Sequence, residues 1–416
     1  MKLINQPVNS QLGNELVKLI QTNKYNEIYI VVAFAKNSGV LRLKDYFDKF
    51  RANGGKITVY VGIDLYGTSY EALTNLFNCT DQLKIIHYEG TQTFHPKIYF
   101  FKGDEISTII VGSNNLTFGG LWSNFESCIY QDILNPDTSQ SCKDFYDYIN
   151  FLNSDKCSSI LVDSQNTIDE LYKDHYITKE ITEILKKLQE KTKKEHNSDN
   201  IKTSKFKVIF KSLIPSLFKD KKEKSKKAIL PEIDSNEIKT EITFSNNNLS
   251  NFWIESKAMT GGSRNILDLS KKSLISKGNI SGSILEIKGE SKFIHGAVEF
   301  FELDPMAVNV KKDITLNFLG TDYIGNTILY PTGNNANGTW RLQIKGVDKD
   351  KNEITKVFGK IKDKYLVEKI LVFSKISSDY YYLSVYSSKE ISNFENTSKI
   401  LAYNGSVKTA KKLGYF

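Results

Sequence analysis

Three short apolar runs, Glu27–Phe34 (EIYIVVAF), Lys56–Gly62 (KITVYVG) and Leu83–His87 (LKIIH), are separated by segments of helical periodicity at Val40–Asn53 and Tyr70–Phe77. Runs this short, apolar almost throughout, describe strands covered on both faces, and the intervening amphipathic helices supply the cover. Val40–Asn53 ends at Gly54-Gly55, a suitable helix stop. The pattern continues through apolar stretches around residues 95–101 and Thr108–Val111, a strand at Phe125–Tyr130 and an aromatic-rich helix at Cys142–Leu152. Residues 1–165 are therefore expected to form an α/β sandwich.

The remainder reads differently. Residues 166–245 form a basic linker or insertion, with a charged amphipathic helix expected over Ile177–Lys194. Between Lys202 and Lys227 stand ten lysines against Asp220 and Glu223, which suits either phosphate contact or a solvated linker. From about Leu249 short strand candidates follow one another with Gly/Asn turns: Gly282–Lys288, Ala297–Glu302, Asp313–Phe318, Thr327–Tyr330, Thr339–Gly346, Tyr365–Phe373 and Tyr380–Tyr386. Residues 246–416 are expected to be an all-β barrel or sandwich.

Composition narrows the function classes. A net charge of +8 over 416 residues favours a polyanionic partner. No basic-then-apolar leader and no apolar run of about 18 residues is present, so a soluble protein of the cytoplasm, with no membrane partner, is expected. Cys79, Cys128, Cys142 and Cys157 lack paired metal-ligand spacing and read as reduced core cysteines.

The chemistry concentrates in residues 91–129. His95 and Lys97 are two apart, which on a strand places both side chains on one face. Phe94, Ile98, Phe100 and Phe101 supply apolar support. A second strand then leads into Gly112-Ser113-Asn114-Asn115, and Glu126 follows. An imidazole can attack phosphorus or pass a proton, and an ammonium can hold a non-bridging oxygen. Ser113 and Asn115 can donate to the other oxygens as charge develops, and Glu126 can fix the imidazole tautomer. Phosphodiester cleavage without a cofactor or metal is the chemistry such a set suits, since a magnesium site would want converging carboxylates.

In this order and spacing, His95-x-Lys97, Gly112-Ser113-x-Asn115 and the downstream Glu126 resemble the phospholipase D superfamily, over about residues 5–160. Many members carry an Asp five residues after the lysine. Lys102 stands there, with Asp104 two further on, a departure that weighs against members acting on lipid head groups. The family brings two His-x-Lys motifs to one active site, whereas His87, His175, His196 and His295 lack a lysine two positions later. The resemblance thus implies a homodimer through the nuclease domain. One His95 would form a phosphohistidine and its partner would protonate the leaving oxygen and then activate water. Lys97, Ser113 and Asn115 would hold phosphoryl oxygens and Glu126 would orient the imidazole.

Two segments of the C-terminal half, 251–272 and 317–346, combine turns with groove-reading donors. Arg264 and Arg341 suit guanine, Asn265 and Gln343 suit adenine edges, and Lys257, Lys271, Lys272 and Lys345 suit phosphates. Arg341 and Gln343 alternate with Trp340, Leu342 and Ile344, so they fit the solvated face of a strand equally well, and Trp253 and Trp340 read as core. Residues 245–416 resemble the B-three-type DNA-binding pseudobarrel of restriction endonucleases that carry a phospholipase D-like nuclease in front. The resemblance implies one arm within 256–265 and a second in or near 320–340.

The combined expectation is a type II, site-specific endonuclease for double-stranded DNA, with a cognate DNA methyltransferase in the same prokaryotic system. The alternatives are a nuclease subunit driven by a separate ATPase, a non-specific nuclease, a lipid hydrolase of phospholipase D type, and an inactive DNA-binding protein.

Overall fold

The apolar runs pair as the centre of one mixed sheet. In the computed structural model, which describes residues 1–185, 250–259, 262, 264–307, 309–331 and 339–416, the chain forms two compact units. The lysine-rich segment and the end of the helix expected over Ile177–Lys194 lie outside the described residues.

The first unit holds strands β1 (Lys2–Gln6), β2 (Glu27–Val32), β3 (Lys56–Gly62), β4 (Gln82–Ile86), β5 (Lys97–Lys102), β6 (Ile106–Gly112), β7 (Glu126–Leu134) and β8 (Ser159–Leu161). Their order across the sheet is β1-β7-β6-β5-β2-β3-β4-β8. β2, β3 and β4 are parallel, and β5, β6 and β7 run as an antiparallel meander out from β2. Helices α1 (Leu12–Ile20), α2 (Asn37–Ala52), α3 (Tyr70–Cys79) and α5 (Gln165–Lys173) cover one face, burying Leu16, Phe47, Leu76 and Ile168 against Ile30, Val59, Ile85 and Phe101. On the opposite face α4 (Gln140–Leu152) lays Phe145 on Phe100, ring centroids 4.2 Å apart. Two covered faces explain the unbroken apolar runs. All four cysteines are free and buried, as expected.

This topology fixes where a site can be. The C-terminal ends of β2, β3, β4 and β6 and the N-terminal ends of β5 and β7 meet at one edge of the sheet, so the connections carrying Phe34, Asp64, His95 and Ser113 converge there with Glu126 at the start of β7.

In this unit the expected elements lie within a few residues of those observed, with one informative exception. His95 is not on a strand. β5 begins at Lys97, because Pro96 has no N–H to give a ladder; its carbonyl instead accepts from Ala33 N at 2.8 Å. β1, α1, β8 and α5 are further elements of the unit that the sequence reading did not name.

The second unit is β-rich, built on an 11-stranded sheet. Asn251–Glu255 runs between Lys369–Ser377 and Lys412–Tyr415, over a core containing Phe252, Phe300, Phe301, Phe373, Tyr381 and Tyr415. Trp253 and Trp340 are fully buried, as their core reading requires. Two expected strands are corrected. Ala297–Phe301 is a 3-10 helix, with Ala297, Val298, Phe300 and Phe301 buried at helical rather than alternating spacing. Residues 282–288 form turns with an isolated bridge at Glu286, Gly282 having a left-handed φ of 74°. The unit is also not purely β: Ile354–Ile361 and Ile391–Thr397 are helical. No helix among the described residues is long and apolar enough to cross a membrane.

Candidate active site

The Gly112-Ser113-Asn114-Asn115 turn is shaped by how closely β6 approaches β7. A Cβ on Gly112 would lie 2.3 Å from Cys128 Cβ and from Ser127 O, so only glycine fits. That closeness lets Ser113 N donate to Ser127 O at 3.1 Å and Ser127 N donate to Ser113 Oγ at 3.2 Å. Ser113 Oγ in turn donates to Glu126 Oε2 in a short contact, and Asn124 Nδ2 donates to Glu126 Oε1 at 3.3 Å. The middle of the turn is structural. Asn114 is buried, Tyr99 Oη donates to its carbonyl at 3.1 Å, and its own Nδ2 donates to Gly120 O at 2.7 Å.

Asn115 faces the other way. Its Oδ1 accepts from Phe34 N at 3.2 Å. Since a backbone N–H demands an acceptor, this bond assigns the amide orientation and leaves Nδ2 as a donor for a ligand.

Lys97 is buried while His95 beside it is exposed. Lys97 Nζ lies 2.7 Å from His95 Nδ1 and 3.0 Å from Nε2, and donates to His95 O at 2.9 Å. A single ammonium cannot lie along both in-plane lone pairs at once, and the His95 carbonyl is its directed partner. Burial lowers the Lys97 pKa, and the Glu126 carboxylate opposes that shift. The His95 ring also stands edge-on to Phe34, centroids 5.8 Å apart. One expectation is not met within a single chain: no hydrogen bond joins Glu126 to the His95 imidazole, and Glu126 is engaged with Ser113 instead.

The structure thus gathers His95, Lys97, Ser113, Asn115 and Glu126 at one sheet edge. The set presents an exposed imidazole, a buried cation, a hydroxyl, a free amide donor and a carboxylate. By contrast, a cavity of about 320 Å³ lined by His87, Glu89, Glu170, Asp174 and Tyr176 has an acidic rim, the wrong sign for a phosphodiester. Residues 11–169 match the family model described as the NgoFVII restriction endonuclease N-terminal PLD domain.

The N-terminal domain is a phospholipase D-superfamily nuclease domain.

Among solved structures, this phospholipase D-type domain is similar to NucT from Helicobacter pylori, at 14% identity over 38% of this chain and 98% of that one, with a TM-score of 0.27. It is also similar to the phospholipase D family member Nuc from Salmonella typhimurium, at 15% identity over 39% of this chain and 97% of that one, TM-score 0.30. A third similarity is to phosphatidylserine synthase of Haemophilus influenzae Rd KW20, at 13% identity over 41% and 44% of the two chains, TM-score 0.28. No curated protein matches the sequence.

In the second unit two strands pair just beyond the expected arms. Ile266–Leu269 pairs antiparallel with Trp340–Gln343, setting Ile266 opposite Gln343 and Asp268 opposite Arg341. Several candidate base or phosphate readers are already engaged. Lys257 Nζ donates to the carbonyls of Thr409 and Ala410, both at 3.1 Å. Asn265 Nδ2 donates to Ile344 O at 2.8 Å, and Arg341 Nε stands 3.9 Å from Asp268 Oδ1. Lys271 lies 4.3 Å over the Tyr330 ring, and Lys272 pairs with Glu290. Arg264 is exposed and ties back to Met259 O at 3.0 Å, Lys345 is exposed, and Gln343 is half-buried. Arg341 and Gln343 do share the outward face of a strand whose alternate residues Trp340 and Leu342 are buried.

Two buried carboxyls escaped sequence reading. Asp64 follows β3 as an unremarkable acid, and Glu71 sits in the first turn of α3; only the fold shows what each carboxyl touches. Glu71 is buried and faces Glu180. Burial raises its pKa to about 7, with the Glu180 carboxylate adding to the shift. Glu180 starts a helical segment, accepts from Asn37 N and Ser69 Oγ, and has its own pKa raised by burial.

Proposed function

We propose that the chain is a sequence-specific double-stranded DNA endonuclease of restriction type, cutting through a phosphohistidine at an active site shared by two copies. The observation that carries this reading is the gathering of His95, Lys97, Ser113, Asn115 and Glu126 at one edge of a sheet whose domain is of phospholipase D type.

An imidazole nitrogen of His95 attacks phosphorus, the P–N bond forms, and the P–O bond to the leaving nucleoside oxygen breaks. The partner's His95, protonated, gives that oxygen its proton. The same imidazole then takes a proton from water, whose oxygen attacks phosphorus and breaks the P–N bond. Lys97, Ser113 and Asn115 Nδ2 hold the non-bridging oxygens as charge builds. Glu126, bound to Ser113 in the single chain, takes the imidazole-orienting role in the paired site. With the buried Lys97 ammonium supplying positive charge, no metal is required.

The need for a second copy has support besides the single His-x-Lys. Leu3, Ile129 and Val111 stand in one cross-strand row over β1, β7 and β6. They are 55%, 46% and 46% exposed, and Phe125 nearby is 71% exposed. An uncharged row ending beside Gly112 and Ser113 suits another protein surface better than a phosphate backbone. A second copy seated there would bring its own catalytic turn close by.

The β-rich unit is assigned to DNA recognition as a pseudobarrel, with arms around 256–265 and 320–340, and Arg264, Gln343 and Lys345 as the least encumbered contacts. Lys257, Asn265 and Arg341 would have to leave their present partners to reach DNA. A cognate methyltransferase would protect host DNA.

The test is digestion of a sequenced plasmid in excess EDTA. Discrete fragments with a fixed map are expected. A smear would indicate non-specific cleavage, and activity appearing only with ATP and a second protein would place the chain in a larger complex.

A further inference from the structure

His95 sits at the end of a long connection, residues 87–96, between β4 and β5. Residues 89–93 of that connection are all exposed. A nucleophile at the end of such a loop needs something to hold it, and one carboxylate does. Asp64, 8% exposed, follows β3. Its Oδ1 lies 2.6 Å from Nδ1 of His87, the first residue of the connection. Its Oδ2 accepts at 2.9 Å from the backbone N–H of Phe94, the residue before His95. The chain bends sharply to place it: Leu65 and Tyr66, neither a glycine, both have left-handed backbones, with φ of 54° and 55°. Strain of this kind persists where surrounding contacts hold it, commonly beside functional groups. On the far side of His95, Pro96 O is held by Ala33 N. His95 is thus pinned before and after, on one side by backbone alone and on the other by the Asp64 side chain.

We propose that Asp64 is a positioning residue for His95, closing the β4–β5 connection on itself through His87 and Phe94 and so setting where the imidazole meets phosphorus. The inference rests on the reading of His95 as the nucleophile. Asp64 touches neither substrate nor the His95 ring; it acts through the backbone.

The experiment measures single-turnover cleavage of a mapped site by the full-length protein, in parallel with DNA affinity by gel shift and thermal melting. Asp64→Ala frees both ends of the loop and is expected to slow cleavage roughly 10–100-fold, the scale of a misplaced reacting group, with DNA affinity unchanged. Asp64→Asn keeps an acceptor for Phe94 N–H and can donate to His87 Nδ1, so it is expected to cut within about threefold of wild type if geometry is what matters. Wild-type rates in Asp64→Ala would overturn the proposal. So would an Asp64→Asn variant as slow as Asp64→Ala, which would point to the charge rather than the pin. Should Asp64→Ala fail to fold, His87→Ala removes one end of the pin alone, with a several-fold slower cut at unchanged affinity expected; an unchanged rate would overturn the proposal. His95→Ala separates the two readings. If it cuts normally, the nucleophile assignment fails; if it is inactive while the Asp64 variants are normal, only the positioning role fails.

Discussion

Replacing Glu71 with glutamine should stabilise the protein, and only at high pH. Glu71 is buried with its carboxyl toward Glu180, and Lys36, Lys179, Glu183, Asn37 and Ser69 complete the surroundings of the pair. Burial first, and the Glu180 charge second, lift the Glu71 pKa from 4.5 to about 7. The folded pKa is raised above the unfolded value, so between about pH 4.5 and 7 the folded state retains a proton that the unfolded chain releases. Stability therefore falls as pH rises through that window, and above it the full cost is present. At about 1.4 kcal/mol per pKa unit the cost is at most about 3–4 kcal/mol, and because the two carboxyls share their titration, about 1–3 kcal/mol is the expected range. The glutamine amide would be neutral at every pH and still accept from Glu180 N, the bond that Glu71 Oε2 makes at 3.0 Å. Calorimetric melting of Glu71→Gln and wild type from pH 4 to pH 8 should show curves that nearly coincide at pH 4. At pH 8 the variant should melt roughly 3–9 °C higher. A difference independent of pH, or a wild type that outlasts the variant at pH 8, would refute the reasoning.

Other outcomes follow from the same structure. Lys97→Met fills the space without the charge and should slow cleavage at least about 100-fold, by the loss of one preorganised donor to a developing oxyanion; single-turnover rates at saturating protein measure it. Gly112→Ala forces a Cβ against Cys128 and Ser127 O and should lower the melting temperature and displace Ser113; scanning calorimetry and cleavage assays together check it. Ile129→Glu places a charge in the exposed apolar row and should yield monomers by light scattering, with cleavage lost and specific DNA binding retained in the monomer. Arg264→Ala and Gln343→Ala should relax sequence preference, each costing about 1–3 kcal/mol at a particular base pair, whereas Lys345→Ala should weaken binding evenly and reduce its salt dependence; competition gel shifts over single-base variants distinguish the two kinds of effect.

The catalytic half was legible because its signals are local. Buried strands of a two-sided sheet write themselves as apolar runs, and Lys56–Gly62 matches its strand end to end. His95, Lys97, Ser113, Asn115 and Glu126 lie within one short stretch that two hairpins fold onto one edge. What local pattern could not supply was any bond between distant residues. Pro96, with no N–H to give the ladder, leaves His95 off the strand while its carbonyl still accepts from Ala33 N, and Asp64 reaches Phe94 across the sheet edge. In the second unit apolar pairs such as Ala297-Val298 and Phe300-Phe301 satisfy a short strand and a 3-10 turn alike, and burial beneath neighbouring strands decided the matter. Strands such as Lys412–Tyr415 were missed because their pairing with Asn251–Glu255 lies far away in sequence.

The central claim is that the His95 imidazole becomes covalently bound to phosphorus. Rapid acid-free quenching of a single turnover on labelled duplex, followed by proteolysis and mass spectrometry, reads this directly. A transient phosphoramidate on the peptide containing His95, stable to base, labile to acid and absent from His95→Asn, is the predicted result. Cleavage at the wild-type rate by His95→Ala, with no adduct on that peptide at any time, would contradict it.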